Sequence, residues 1–332
     1  MGSVQDLKIE RIVADGDLDG LLSAVVLRRV WPDARVRFTH PAEVRSGGVD
    51  DWMGRDTAVL DLPFHPDCGL HIDHHLTNRA TDAEARQAAA NGITLVWDAA
   101  LSAARVCHDT FAEAVDLSDL DAWLPMVDKL DGGRISHAEF LSDDPIVWIG
   151  RTVDATDDPY CQHLLSAISE GAGPASLVND GMVADRVAIA REEFEGLRLM
   201  LDTCTQVVDR LAIVRLDGEG IRTNGYLVTG HFGAAVDACM IIHGYIDGRI
   251  GEPGRWPVSA SFYTNSFLHE VTGLFDLTQL ATAFDVDGGG HANACGCRIQ
   301  PLSGDGALED RSVDSADIER NIEAWLAMWA QR

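Results

Sequence analysis

A run of carboxylates near the start of the chain is the first chemical signal in this sequence. Asp15, Asp17 and Asp19 lie within five residues, separated by small or apolar neighbours. Three such carboxylates repel one another unless a cation lies among them, and their oxygens are ligands that suit Mg²⁺ or Mn²⁺. A solvated acidic turn is the alternative for this run alone. An EF-hand is excluded because Val26 stands where the closing glutamate would be.

The second candidate group is Asp73-His74-His75. Imidazole nitrogens can join carboxylates around a metal, and such mixed ligation shifts the preference from Mg²⁺ towards Mn²⁺, with Co²⁺ or Zn²⁺ as alternatives. Adjacent side chains on an extended chain diverge, so one imidazole can ligate a metal while the other contacts a phosphate or a leaving oxygen. Asp73 can accept a hydrogen bond from a histidine ring and fix its tautomer.

Short apolar runs precede these groups and predict the elements that position them. Strands that alternate with helical patterns indicate a parallel α/β sheet, in which ligands lie beyond the carboxyl ends of the strands. Asp15, Asp61 and Asp73 stand at or just after such ends, which favours a shared site. His40, His65 and His71 also lie near strand ends, and we interpret them as ordinary surface or core histidines. The predicted strands are residues 9–13, 36–40, 57–60 and 70–72.

Together these motifs resemble those of the DHH phosphoesterases, a family named for the Asp-His-His tripeptide. Residues 15–24 are similar to its first motif, the segment around Asp61 to its second, and the segment around Asp128 to its fourth. The segment Gly288-Gly289-Gly290-His291 resembles the Gly-Gly-Gly-His motif of the associated DHHA1 substrate domain. The motifs occur in the order that the family shows, between residues 15 and 296.

The resemblance implies two bound Mn²⁺ ions, with Mg²⁺ or Co²⁺ as substitutes. From the geometry of adjacent histidines we assign His74 to the metal and His75 to a phosphate contact, and we take His75 and Asp73 as the catalytic pair. Two divalent cations lower the pKa of a shared water and offset charge on the attacked phosphoryl group. The implied metal ligands are Asp15, Asp17, Asp19, Asp61, His74 and Asp128.

The glycine motif predicts an anion cradle, because consecutive glycines let backbone N–H groups approach an anion closely. Gly289, Gly290 and His291 are therefore predicted to bind substrate, with a flexible turn as the alternative. DHHA1 domains typically carry an arginine shortly before this motif, and residues 258–261 contain none. Arg298 is the candidate that we assign to this contact, with Arg249 and Arg255 as alternatives.

The pattern changes along the chain and predicts two domains. Residues 1–190 are predicted to form the DHH metal-binding catalytic domain, a parallel sheet with helices on both faces. A linker helix over 191–208 would join it to a smaller α+β DHHA1 substrate-binding domain over 209–332. The helical pattern begins near residue 176, and a closing helix is predicted over 314–329. The strands predicted in the second domain are residues 211–216, 226–229, 240–245 and 258–263.

The amino-acid composition limits which molecules this protein can bind. A net charge of −27 repels a long polyanion, so duplex nucleic acid is excluded as a partner and short substrates are favoured. No apolar run reaches the ~20 residues of a membrane span, and we expect a cytoplasmic protein without a membrane partner. Seven cysteines without framework spacing fit reduced thiols. A homodimer is compatible with this composition.

The function that we expect is Mn²⁺-dependent hydrolysis of phosphate esters in small nucleotides by a metal-activated water. Short single-stranded oligonucleotides, pAp and cyclic dinucleotides are the candidate substrates. The first alternative is a hydrolase related to pyrophosphatases and exopolyphosphatases. The second is a non-catalytic nucleotide-binding sensor, which would bind the ligand without turnover.

Overall fold

The computed structural model describes residues 4–252, 254–269 and 274–332. The chain divides into two compact units. The first contains the chain up to Glu192 except for Ile135–Phe140, and the second contains Ile135–Phe140 together with Glu193–Arg332. The assignment of catalytic, linker and substrate-binding roles to particular ranges stays a prediction.

The helices of the two units range from single turns to one of 24 residues. In chain order they are α1 (Leu18–Val30), α2 (Pro41–Arg45), α3 (Asp82–Ala90), α4 (Ala103–Phe111), α5 (Leu124–Asp131), α6 (His137–Phe140), α7 (Pro145–Gly150), α8 (Asp158–Ser169), α9 (Pro174–Leu177), α10 (Gly181–Cys204), α11 (Gly225–Phe232), α12 (Thr278–Ala281) and α13 (Ser315–Trp329). Short 3₁₀ segments occupy Val4–Asp6, Asp50–Trp52, Leu76–Asn78, Ser118–Ala122 and Gly233–Ala235.

The first unit contains a parallel five-stranded sheet. Its central strands are buried along their whole length, as expected for a parallel sheet whose two faces are covered by helices. The strand order is β2-β1-β3-β4-β5, and every pairing is parallel. The predicted α/β class is confirmed. The strands are β1 (Arg11–Asp15), β2 (Arg35–Thr39), β3 (Thr57–Leu60), β4 (Leu70–Asp73) and β5 (Thr94–Trp97).

The second unit contains a mixed six-stranded sheet in the order β10-β11-β9-β8-β7-β6. Only β7 and β8 are parallel neighbours, and the other described pairings are antiparallel. Helix α13 covers one face: the Trp325 ring lies 5.0 Å from the Phe262 ring. The predicted α+β class is confirmed. The strands are β6 (Thr205–Val208), β7 (Leu211–Asp217), β8 (Ala238–Gly244), β9 (Ser259–Thr264), β10 (Gly289–His291) and β11 (Ala294–Arg298).

Two predicted elements differ from the structure. The helix predicted from residue 176 onwards begins at Gly181 and ends at Cys204, and residues 205–208 form strand β6. The strand predicted over 226–229 was wrong, because this segment lies in helix α11, which begins after an N-cap at Asn224. A short apolar run fits either element by periodicity alone, and the asparagine cap was the overlooked signal.

Within the described residues, none of the helices combines the length and the hydropathy that crossing a membrane requires.

Candidate metal centre

The carboxyl ends of three neighbouring strands position the first carboxylates. Asp15 ends β1, Asp61 follows β3 directly, and Asp73 ends β4. Strands β1, β3 and β4 are adjacent and parallel, so their carboxyl ends meet at one edge of the sheet. The sequence prediction of a common edge rested on this rule.

The loop between β1 and α1 is shaped by close backbone packing. The Asp15 carboxylate accepts a hydrogen bond from the Gly16 amide at 2.7 Å. Asp17 is the N-cap of α1 and accepts from the Gly20 amide at 2.9 Å. A Cβ atom at Gly20 would lie 2.3 Å from the Asp15 carbonyl oxygen, so only glycine fits there. The Asp-Gly alternation of this loop therefore has a steric basis as well as a chemical one.

Asp19 lies in the first turn of α1 and is 2% exposed. Its two carboxylate oxygens accept hydrogen bonds from the amides of Ala103 and Ala104, each at 2.7 Å. These amides belong to the N-terminus of α4, where the helix dipole favours negative charge. The contact fixes the orientation of Asp19 across 84 residues of sequence.

Asp61 has an unusual backbone and an unusual carboxylate. Its φ of 57° lies in the left-handed region, which an aspartate tolerates better than most residues. Its side chain is 2% exposed, and Oδ1 accepts no hydrogen bond from any residue that the structure describes. Burial, followed by the charges of Asp19 and Asp17, raises the pKa of Asp61 well above its usual range. Such strain and lost solvation persist at functional sites.

Asp73 supports the tripeptide to which it belongs. Its Oδ1 accepts from the His74 and His75 amides at 2.7 and 3.1 Å, and lies 2.9 Å from the His75 Nδ1 atom. Burial opposes the charged form, but the hydrogen bond from His75 prevails and lowers the pKa of Asp73 to about 2. Burial alone would lower the pKa of His75, but Asp73 raises it. With Nδ1 turned to Asp73, Nε2 is the His75 atom suited to contact a phosphate.

His74 has the geometry of a metal ligand. Its Nε2 atom lies 3.2 Å from Asp131 and 3.6 Å from both Asp19 and Asp61. Its Nδ1 atom lies 3.3 Å from the Ala100 carbonyl, which fits the tautomer with hydrogen on Nδ1 and a lone pair on Nε2. Burial lowers the pKa of His74 and favours this neutral form. Of the two histidines, His74 is therefore the one that faces Asp19 and Asp131, whereas the His75 Nδ1 atom lies 3.5 Å from Asp61.

Asp131 is a member of the group that the sequence analysis missed. It lies at the end of α5, 3.2 Å from His74. Burial, followed by the charges of Asp19 and Asp17, raises the pKa of Asp131 well above its usual range. The segment around Asp128 contains this second aspartate three residues later, which was the available signal.

Asp128, the predicted ligand, is engaged elsewhere. Its Oδ1 accepts from the Ser102 hydroxyl at 2.7 Å, and its Oδ2 accepts from Arg105 at 2.6 and 3.1 Å. The arginine compensates the charge of Asp128, and the role of Asp128 as a metal ligand stays a prediction. The structure thus places Asp131, and not Asp128, in the group around His74.

Donor atoms of this region fall into overlapping sets within which all ligand atoms lie no more than 4.8 Å apart. Within the first unit, Asp61 and His74 each belong to more than one of these sets. We call Asp15, Asp17, Asp19, Asp61, His74 and Asp131 together the acidic cluster. The sets are Asp61 with Asp73, His74 and His75, then Asp19 with His74 and Asp131, and finally Asp15 with Asp17 and Asp61.

The donor set fits divalent cations. Carboxylates this close repel one another, and a buried carboxylate oxygen without a hydrogen bond is costly unless a cation lies beside it. Among the residues that the structure describes, the Asp61 Oδ1 atom meets that description. Five carboxylates and one imidazole match the oxygen-rich mixed ligation of Mn²⁺ or Mg²⁺.

The glycine motif of the second unit forms an edge strand. Gly289–His291 pairs with β11, and Gly290 has a φ of 132°. A Cβ atom at Gly290 would lie 2.6 Å from the Ala294 carbonyl oxygen. The close strand pairing explains this glycine without a ligand. Anion binding by Gly289, Gly290 and His291 stays a prediction.

Arg298 is held by two carboxylates. Its guanidinium donates to Asp285 at 2.7 and 3.0 Å and to Asp287 at 2.6 Å. These contacts hold the pKa of Asp285 below its usual range despite burial, which alone would raise it. These ion pairs engage the Nε and Nη2 atoms and give Arg298 a structural role, and the phosphate contact of Arg298 stays a prediction.

This chain is similar to known proteins in its fold. No family model matches this sequence, and no curated protein matches it. The pGpG-specific phosphodiesterase PggH from Vibrio cholerae is similar in structure, with a TM-score of 0.64 and 18% identity over 96% of this chain and 98% of that one. The Mn²⁺ complex of RecJ from Thermus thermophilus gives a TM-score of 0.49 and 13% identity over 96% of this chain and 52% of that one. At this identity, the comparison establishes that the chain has the fold of the PggH phosphodiesterase.

Proposed function

We propose that this chain is a DHH-family phosphoesterase that hydrolyses small nucleotides with two bound Mn²⁺ ions. The observation that carries the proposal is the acidic cluster, in which the Asp61 Oδ1 atom is buried with no hydrogen-bond donor among the described residues and the His74 Nε2 atom faces three carboxylates. The motif resemblance and the fold shared with a pGpG-specific phosphodiesterase support it. A −27 charge favours substrates with few phosphates.

Different residues of the chain would bind the metal ions, contact the phosphate and orient the ligands. The acidic cluster would hold the metal ions, with Asp61 and His74 common to more than one donor set. Bound divalent cations supply an activated water and offset the charge of the phosphoryl group. His75, oriented by Asp73, donates through Nε2 to a phosphate or leaving oxygen. Asp19 keeps its orientation through the α4 amides, so that the cluster is preorganised.

A substrate panel with Mn²⁺ tests the proposal. It contains pAp, a linear dinucleotide such as pGpG, a cyclic dinucleotide, a short oligonucleotide, polyphosphate and pyrophosphate. We expect hydrolysis of one or more nucleotides, lost on chelation. Turnover of pyrophosphate or polyphosphate alone would favour the related hydrolases, and nucleotide binding without turnover would favour the sensor.

Asp61→Asn tests the carboxylate itself. Asparagine keeps the size and shape of the aspartate side chain, lacks its charge and tolerates the left-handed backbone. We expect the rate to fall about a thousandfold or more, as when several kcal/mol of electrostatic stabilisation are removed. Hydrolysis that persists in this variant or in chelator contradicts the proposal.

A further inference from the structure

His40 lies beside the acidic cluster, although its sequence context suggested an ordinary histidine. It follows β2 directly, and β2 is the neighbour of β1 in the sheet. The Gly16 amide donates to the Thr39 carbonyl at 2.8 Å, which joins the end of β2 to the loop after Asp15. The parallel pairing therefore brings His40 to the same sheet edge as Asp15.

The His40 ring lies between two carboxylates. Its Nδ1 atom is 3.6 Å from the Oδ1 atom of Asp15, and its Nε2 atom is 3.8 Å from the Oδ1 atom of Asp154. The Asp15 Oδ1 atom is also the acceptor of the Gly16 amide. Both contacts therefore engage one oxygen of Asp15, and the other oxygen is the one suited to a cation.

Asp154 is itself fixed in place. Its Oδ1 atom accepts from the Thr156 amide at 2.8 Å and from the Thr156 hydroxyl at 2.7 Å. Its neighbour Ala155 packs against the loop between β1 and α1 so closely that a Cβ atom at Gly16 would lie 2.3 Å from the Ala155 Cβ. The turn around Asp154 thus forms a rigid support on the far side of His40.

We propose that His40 and Asp154 are positioning residues for Asp15, with Asp154 orienting the imidazole and the imidazole orienting the Asp15 carboxylate for a divalent cation. The inference rests on the proposed function, because it assigns Asp15 to metal binding. Residues that hydrogen-bond a metal ligand without contacting the metal orient that ligand. Their loss typically weakens metal binding about 10- to 100-fold.

Calorimetric titration with Mn²⁺, without substrate, tests the inference. We expect His40→Ala to weaken Mn²⁺ binding about 10-fold and His40→Gln, which keeps a donor, to weaken it less. The control is His163→Ala, since His163 is equally exposed and pairs with Asp180 in the same unit at 2.9 Å. Unfolding in chelator, measured for each variant, separates loss of fold from loss of affinity. If His40→Ala and His40→Gln bind Mn²⁺ as the His163→Ala control does, the inference is overturned.

A double variant tests the order of the relay. If Asp154 acts through His40, Asp154→Asn weakens Mn²⁺ binding in the wild-type background and has no further effect in His40→Ala. Additive losses would show that Asp154 acts by itself and would overturn its assigned role. A wild-type protein that binds no Mn²⁺ refutes the proposed function, whereas normal wild-type binding with unaffected variants refutes only the inference.

Discussion

Buried aspartates of the two units have opposite surroundings. In the first unit, the buried Asp61 and the partly buried Asp131 face other carboxylates, and the pKa of each is raised. In the second unit, Asp317 is fully buried and accepts from Arg311 at 2.6 and 2.7 Å and from Arg320 at 2.8 Å. The hydrogen bonds of Arg311 hold the pKa of Asp317 far below its usual range, although burial opposes this.

The difference separates binding carboxylates from structural ones. A buried carboxylate compensated by arginines has its charge satisfied within the chain. A buried carboxylate among like charges is compensated only when a cation binds. Without the cation, its burial lowers the stability of the folded protein. Burial and residue type are the same for Asp61 and Asp317, so the partner is what distinguishes the two roles.

The largest effect is expected where the two kinds of aspartate lie three residues apart. Asp131→Asn should weaken Mn²⁺ binding about 100-fold or more, because it removes a carboxylate that faces His74. Loss of a residue that only orients a metal ligand costs up to about 100-fold, and loss of a ligand should cost at least as much. Asp128→Asn should weaken it far less, because Asp128 is held by Ser102 and Arg105. Metal titration of both variants checks this, and equal losses would contradict the distinction.

A smaller effect is expected in the second unit. Asp317→Asn should lower the free energy of unfolding by about 3 kcal/mol, because it breaks the ion pair that the buried Asp317 carboxylate forms with Arg311. Chemical denaturation measures this, and Mn²⁺ binding should not change. The control is Glu309→Gln, an exposed partner of the same arginine, which should cost at most about 1 kcal/mol. Equal costs would show that burial of the pair is irrelevant.

The smallest effect is the pH dependence of stability. The Arg210 side chain lowers the pKa of Asp237 to about 2. The stabilisation is complete above the unfolded value near 4 and is lost as the pH falls from about 4 to 2, amounting to about 1–2 kcal/mol. Denaturation from pH 6 to pH 3 should show the difference between wild type and Asp237→Asn shrinking as the pH falls.

The acidic cluster should respond with the opposite sign. A raised pKa means that the folded state binds the proton more tightly, so the penalty of Asp61 is complete above its folded pKa and absent below about 4. In chelator, acidification from pH 8 towards pH 5 should therefore stabilise the wild type more than Asp61→Asn. An equal response of both proteins would contradict the repulsion that we assign to the cluster.

The sequence predicted four of the five strands of the first unit, because local patterns determine them, and it missed β5 (Thr94–Trp97). Alternating apolar runs and helical spacing predicted the parallel sheet, and the strand-end rule placed Asp15, Asp61 and Asp73 at one edge. The Asp73-His74-His75 tripeptide and its order relative to the other motifs were recognised from the sequence alone. The sequence analysis assigned His74 to the metal and His75 to a phosphate, but the hydrogen bonds of each ring, which bear on this order, are visible only in the structure.

Only the tertiary structure decided which charges meet. Residue type and spacing permit both Asp128 and Asp131 to face a metal, and Arg105 in another helix settles the matter by pairing with Asp128. The same holds for His40, whose neighbours Asp15 and Asp154 come from distant segments. Sequence thus determined where carboxylates cluster, because strand ends are local features. Their compensation was decided by the fold, because electrostatic energy depends on distance in space.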